Sequence, residues 1–505
     1  AELLKPKLLY NEVKPVSVVQ IYKDGKDWSF YKLKEAKVLK DQVFAKEDSV
    51  CLDFGTHCVG YVRLNIIPVG SPPDAPAYIR LKFGEHICEI AENSADYNGL
   101  LSSSWIQEEY IHIDVLPAVI ELPRRYAFRF MEIYVKDTSS KYKIRFENIV
   151  CKTVSSANVE NVPHLNCSDS MLDAIDHVSV KTMCQCMQDV FEDGPKRDRR
   201  LWIGDLRLQA LTNYETFKNY DLVKRCLYLF AGLRQNDGRV GACLFTEPKP
   251  HVDDTWLFDY SLLFISCLYD YYFATKYLSL VCELWDTAYR QIEIAQRFID
   301  ENGVVKDRND WWCSVDWNES LNKQASAHAI FIYTLKQAKY IAELLNDNSR
   351  LNTIEMLIRT LEYGALKVLW DEEKGFFISG EERQISWASQ VWFVLAGVFD
   401  KEKNARLLRH LIDMQPNVKM ITPYMYHYFV EALLDSEMSE EAMNYIKSYW
   451  GGMVADGADC FYELYNPDNK YESPYGSRII NSYCHAWSGT PAYFIRKYFA
   501  SKVDF

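Results

Sequence analysis

Ser168-Asp169-Ser170-Met171-Leu172-Asp173-Ala174-Ile175 opens a run that keeps a helical pattern to about residue 192. Asp193-Gly194-Pro195-Lys196-Arg197-Asp198-Arg199-Arg200-Leu201-Trp202 then interrupts it, before apolar residues at three-to-four spacing resume at Ile203. Gly194-Pro195 stops the first helix because proline cannot continue it. The second helix, over 203–217, is followed after three residues by a third over 221–233. A long connection and then a short one: this unit recurs to the end of the chain. Further helices are predicted at 254–274, 278–300, 319–345, 350–369, 385–398, 402–413, 422–434, 440–450 and 486–500, twelve in all. Ser168 and Ser439 read as N-caps, and Thr422-Pro423 as an N-cap followed by proline at the first helical position.

The connections carry the architecture. Long ones run over 193–202, 234–253, 301–318, 370–384, 414–421 and 451–485, and short ones over 218–220, 275–277, 346–349, 399–401 and 435–439. Short connections force antiparallel neighbours, so alternation places every long loop at one end. Six hairpins with their long loops together predict an (α/α)6 barrel, a six-hairpin toroid. A solenoid would show a repeated motif of fixed period, and none is visible.

Upstream the period changes from about 3.6 to 2. Ser49 to Gly55, Val59 to Ile66, Tyr78 to Phe83, Tyr110 to Val115, Tyr126 to Val135 and Lys141 to Val150 alternate, separated by turns such as Gly70-Ser71-Pro72-Pro73-Asp74. Short alternating strands bounded by turns predict an antiparallel β-sandwich. The expected organisation is a sandwich over 1–160 and a barrel over 161–505, with no separate C-terminal β-domain.

Composition narrows the function classes. The net charge of −13 gives no footprint for nucleic acid. Ala1 to Pro6 has no apolar h-region, and no stretch approaches the roughly 18 apolar residues of a membrane span. The fourteen cysteines include no C-x-x-C pair, so neither a metal site nor a cofactor is expected, and reduced thiols point to the cytoplasm. Aromatic residues make up 14% of the chain, and their positions decide between core and binding platform.

The long loops hold the chemistry. In the first, three carboxylates and four cations fall between Asp193 and Asp205. A carboxylate beside an arginine stays ionised, while one shielded from cations can have a raised pKa, so such a loop can supply both an acid and an anion. The last long loop carries Glu463 between Tyr462 and Tyr465, and closure of the ring makes the first and last hairpins neighbours. Asp253-Asp254-Thr255-Trp256 and Asp310-Trp311-Trp312-Cys313-Ser314-Val315-Asp316-Trp317 pair tryptophan with aspartate. That pairing suits a pyranose, whose C–H face lies on indole while its hydroxyls meet carboxylates. Tyr475, His485 and Trp487 lie in or just after the last loop. His485 reads as a hydrogen-bonded or substrate-orienting histidine, because nothing at ligand spacing pairs with it.

These residues resemble a known family. Asp193 to Asp205 is similar to the D-C-P-x-R-E-x-L-G-W-x-G-D signature of family 78 glycoside hydrolases, the inverting α-L-rhamnosidases. Gly457-Ala458-Asp459-Cys460-Phe461-Tyr462-Glu463 resembles that family's G-A-T-T-x-W-E segment, and Val315-Asp316-Trp317 its F-x-D-W segment. Asp53-Phe54-Gly55, Gly60-Tyr61 and Phe83-Gly84-Glu85 look like parts of the preceding sandwich. The resemblance implies an exo-acting hydrolase that releases terminal α-L-rhamnose from small glycosides, with Asp198 as general acid and Glu463 as general base. It implies sugar contacts from Asp193, Arg197, Trp202 and Asp205, with Trp256 and Trp317 lining the pocket; Asp316, Tyr462 and His485 join them as candidate sugar contacts from their places in the loops. The family's acid is usually glutamate, so Asp198 is one methylene shorter and Asp193 or Asp205 stays open as the proton donor; the family's Gly-Trp pair is Leu201-Trp202 here. Another (α/α)6 exo-glycosidase and a non-catalytic sugar-binding homologue are the alternatives; a lyase of this fold fits less well, because the loops are too carboxylate-rich for a uronate. The expected partner is a small-molecule glycoside, with neither nucleic acid nor membrane, and a homodimer stays open.

Overall fold

The N-terminal strands form because their alternating residues have one apolar face to bury. In the computed structural model, which describes residues 1–500 apart from 166 and 311, they are β1 (Leu9–Val13), β2 (Ser17–Asp24), β3 (Asp27–Glu35), β4 (Ser49–Gly70), β5 (Ala77–Gly84), β6 (Glu108–Ile113), β7 (Ala118–Glu121), β8 (Tyr126–Asp137) and β9 (Tyr142–Ser155). Every pairing is antiparallel, in the order β1-β9-β4-β8-β5-β6, with β2 and β7 also on β4 and β3 on β2. The long β4 makes this possible. Its first part pairs with β2 and β8, its later part with β7 and β9, and its register on β8 shifts between Asp53 and Cys58. Gly55 sits in that shift at φ 72°, a left-handed backbone that favours glycine. Leu52, Phe54, Leu64, Ile79, Phe128, Ile133 and Phe146 fill the enclosed core. A one-turn helix, α1 (Ile87–Ala91), follows β5.

Twelve helices follow among the described residues: α2 (Ser170–Cys186), α3 (Ile203–Glu215), α4 (Tyr220–Gly232), α5 (Phe258–Thr275), α6 (Leu278–Ala295), α7 (Gln324–Leu344), α8 (Asn348–Gly364), α9 (Trp387–Leu395), α10 (Lys401–Met414), α11 (Pro423–Asp435), α12 (Ser439–Ala455) and α13 (Pro491–Phe494), the last continued by a π-turn over Ile495–Phe499. Packing sorts them into two rings. α3, α5, α7, α9 and α11 pack in succession, and the segment from Ala486 through α13 closes the inner ring onto α3. Inner helices are buried almost all round, since they meet neighbours on every side: all of α9 and all of α3 up to Tyr214 are buried. The even-numbered helices keep one polar face to solvent, as an outer ring requires.

Each long connection runs from an outer helix to the next inner one, so all long loops gather at the N-terminal ends of the inner helices. The predicted sandwich and six hairpins hold, and the ends of the helices differ. α2 stops at Cys186 rather than 192, because Met187 to Phe191 turns back into a bridged loop. Its N-cap is Asp169, whose side chain accepts from Met171 and Leu172 N–H, rather than Ser168. Ser439 begins α12 instead of capping it. Thr422 caps α11 as predicted, accepting from Met425 N–H at 3.2 Å.

Candidate active site

The gathered loops enclose a cavity of about 1110 Å³. Its deep wall is buried and comes from Asp193, Asp205, Tyr260, Ser314, Asp316, Glu463, His485 and Trp487; its exposed rim carries Asp307, Arg308, Asp310, Glu319, Glu381 and Glu382. Asp198, Trp202 and Trp317 also line it. Trp311, expected among the loop aromatics, lies outside the described residues.

The two carboxyl groups implied as acid and base stand in contrasting surroundings. Arg197, itself buried, donates to both oxygens of Glu463, to Oε1 at 3.2 Å and to Oε2. The Tyr475 hydroxyl donates to Oε1 at 2.9 Å, and Ser482 N–H to Oε2 at 3.4 Å. Glu463 is thus held in one orientation by charge-assisted bonds. Asp198 has no such clamp: its nearest guanidinium nitrogens, on Arg197 and Arg200, are 3.9 and 4.0 Å away. Its pKa is raised, first by burial and also by Glu463 and Asp253, against the pull of those two arginines. Its side chain is 25% exposed, whereas those of Asp193 and Glu463 are 6% and 7% exposed, so of these three Asp198 presents itself most to the cavity. Arg197 Nη1 lies 3.2 Å from Glu463 and 3.9 Å from Asp198, which puts their nearest oxygens no more than about 7.1 Å apart.

Asp193 turns both oxygens onto the acid loop, accepting from Asp198 N–H at 3.1 Å and Arg200 N–H at 3.0 Å. Burial and then the Asp198 charge push its pKa up to about 8. Asp205, in the first turn of α3, accepts from the Tyr260 hydroxyl at 3.1 Å, and burial followed by Asp193 raises it well above the ordinary range. His485 is held neutral, chiefly by burial and then by Arg197, with Nε2 at 3.8 Å from Glu463 and 4.0 Å from Asp193. Trp317 packs against Trp487 and Tyr475, and Trp487 Nε1 donates to the Glu463 carbonyl at 3.0 Å.

Four expected sugar contacts sit differently. Arg197 does not line the cavity, and its guanidinium is taken up by Glu463, Tyr475 and the Ile480 carbonyl. Trp256 does not line the cavity: its ring stacks on Phe298 at 5.5 Å, beneath the Arg239 guanidinium. Tyr462 does not line it either: while Glu463 faces the cavity, Tyr462 packs on Tyr483 and His86. Asp316 does reach the cavity wall, but its carboxylate is occupied. It accepts from the N–H groups of Trp317, Ile421 and Thr422 and from the Thr422 hydroxyl, at 2.7–3.0 Å. It therefore pins the third loop to the start of α11. Tyr260 was missed because it lies within a helix rather than a loop. Tyr475 gave one signal, its place in the turn Ser473-Pro474-Tyr475-Gly476, without showing that its partner would be Glu463.

The sandwich supports this site directly. Lys196, next to Arg197, is buried and donates to Glu89 of α1 at 2.5 Å and to the Asn481 carbonyl. Glu85, just after β5, accepts from Tyr483 N–H at 2.8 Å. Arg199 donates to the Arg125 carbonyl at 2.7 Å, and Arg125 pairs with Glu192 at 2.6 Å. Both carboxylate-bearing loops are thus anchored on the same domain.

A six-hairpin toroid whose loops set a clamped carboxylate opposite an unclamped carboxyl group, in an aromatic-walled cavity, defines a glycosidase. The chain belongs to glycoside hydrolase family 78 and is an enzyme of this α-L-rhamnosidase family. The family's α-rhamnosidase N-terminal domain matches residues 15–153, and the bacterial α-L-rhamnosidase six-hairpin glycosidase domain matches residues 160–499. Among solved structures, a rhamnosidase from Klebsiella oxytoca with rhamnose bound is 47% identical, with a TM-score of 0.97 over 98% of this chain and 97% of that one. A family 78 rhamnosidase of Bacillus sp. GL1 shares the fold at 20% identity and a TM-score of 0.76, over 95% of this chain and 47% of that one. The Streptomyces avermitilis α-L-rhamnosidase complexed with L-rhamnose does so at 14% identity and a TM-score of 0.65, over 97% and 44%. No curated protein matches the chain.

Proposed function

We propose that the protein releases terminal α-L-rhamnose from small glycosides by a single displacement. The Asp198 carboxyl gives its proton to the glycosidic oxygen as the bond to the anomeric carbon breaks. Water attacks the opposite face and loses its proton to Glu463, which inverts the anomeric configuration. The observation that carries this reading is the contrast between Asp198, unclamped and with a raised pKa, and Glu463, fixed by Arg197, Tyr475 and Ser482. The bound on their separation reaches the lower end of the roughly 6.5–9.5 Å that leaves room for a water, and also includes the roughly 5–5.5 Å of a double displacement. Product configuration therefore tests the mechanism: NMR of an aryl α-L-rhamnoside digest should show β-L-rhamnose first, and α-L-rhamnose first would reject single displacement.

Asp193, Asp205 and His485 would hold the sugar hydroxyls, with Trp202 and Trp317 against its C–H faces. The rhamnose in the Klebsiella structure supports the choice of sugar. A panel of aryl glycosides decides it, since turnover of a glucoside or mannoside at equal rate removes rhamnose as the specific substrate. The fourteen cysteines are all unpaired, which supports a reducing, cytoplasmic setting and hence imported glycosides. No helix among the described residues is long and apolar enough to cross a membrane.

A further inference from the structure

Behind the Glu463 loop, where the sandwich meets the barrel, three soft ligands converge. His57 of β4 and Cys460 and Cys484 of the last long loop are all buried, and one ligand atom from each lies within 4.8 Å of the others. Glu85 Oε1 occupies His57 Nε2 at 3.0 Å, leaving Nδ1 buried with no hydrogen-bond partner. A carboxylate on one ring nitrogen fixes the orientation of the other, an arrangement common behind metal-binding histidines. Cys186, at the end of α2, lies beside Cys484. Sequence spacing could not show this set, because its members come from three segments, β4, α2 and the last long loop, far apart in the chain.

We propose that His57, Cys460 and Cys484, with Cys186 as the fourth ligand, bind a zinc ion that ties β4 to the loop carrying Glu463. Two thiolates on one zinc stand roughly 3.7 Å apart, given Zn–S bonds of about 2.3 Å. Among His57, Cys460 and Cys484 the present spacing therefore closes with side-chain shifts of about 1 Å. A Cys3His set is a closed structural type with no open position for a water, so the ion organises the site and does not enter the reaction. Zinc would displace the thiol protons of the cysteines as it binds.

The test uses the full chain made without a metal-affinity tag, incubated with zinc and desalted, with zinc measured by mass spectrometry. About one zinc per chain is expected, with at least a tenfold drop in Cys460→Ser and Cys484→Ser and none in Cys282→Ser, whose cysteine is exposed. In the wild-type chain, zinc should shield the Cys460 and Cys484 peptides from alkylation until a chelator is added, a readout that needs no folded variant. Wild-type chain that retains no zinc, zinc held equally by both serine variants, or a Cys460–Cys484 disulfide in the protein as isolated would each overturn the proposal. None of these readouts involves rhamnoside turnover, so the assignment of activity stands or falls separately.

Discussion

Asp198 and Glu463 differ in what holds them, and that difference predicts how each fails. Asp198→Asn removes a proton that can be donated, and Glu463→Gln removes a base, so each should lower kcat by about 10²- to 10⁴-fold. The melting temperature of Asp198→Asn should not fall, because its carboxyl makes no close bond. Near-normal turnover in either variant would remove that residue from its role. The raised pKa of Asp198 also sets a direction with pH. A general acid works protonated, so kcat/KM should decline as pH rises through its pKa. Arg200 stabilises the ionised form and lowers that pKa; Arg200→Met should therefore move the alkaline limb of the pH profile to higher pH. A limb that stays fixed or moves down would mean that another carboxyl, Asp193 being nearest in character, gives the proton.

The helices show where sequence reading works and where it stops. Alternating loop lengths revealed the hairpins because chain connectivity is one-dimensional information. The charged first loop and Glu463 stood out because their neighbours in sequence are also neighbours in space. Trp256, Tyr462 and Asp316 were placed by the same logic and sit differently, since side-chain direction and prior engagement by backbone N–H groups depend on tertiary packing. The clamp across the inner ring had no local signature at all. Arg207 of α3 reaches Asp270 of α5 at 3.1 Å, Tyr333 of α7 at 2.6 Å and Glu431 of α11 at 3.1 Å, joining four inner helices. Arg207→Met leaves two largely, not fully, buried carboxylates without their cation and should cost about 2–4 kcal/mol, read in chemical denaturation, with KM unchanged because none of these residues lines the cavity. Asp316→Ala should behave differently. It frees buried donors at about 1–3 kcal/mol each and releases the loop beside Trp317, so stability should fall and KM should rise together. An unchanged KM would mean that Trp317 keeps its place without the Asp316 pin.

The sandwich braces the active site, although every residue that lines it lies in the barrel. Lys196 and Glu89 are 107 positions apart, and Glu85 and Tyr483 are 398 apart, which is why no pattern in the sequence announced the anchoring. Its consequence is physical. Without the sandwich, Lys196 would lose Glu89, Tyr483 N–H would lose its acceptor and Arg199 would lose the Arg125 carbonyl, so the acid and base loops would shed their common support. A chain of residues 160–500 is therefore expected to lose rhamnosidase activity even where its helices form. The milder variant Glu89→Gln separates positioning from folding. Glutamine keeps an acceptor for Lys196 but removes a charge, so kcat should fall more than KM rises, because Lys196 adjoins the segment bearing Arg197 and Asp198. The charge-conserving Glu89→Asp should recover part of the loss if the ion pair is what matters. An isolated barrel as active as the full chain would show that the loops hold their geometry alone, and that the sandwich contributes stability only.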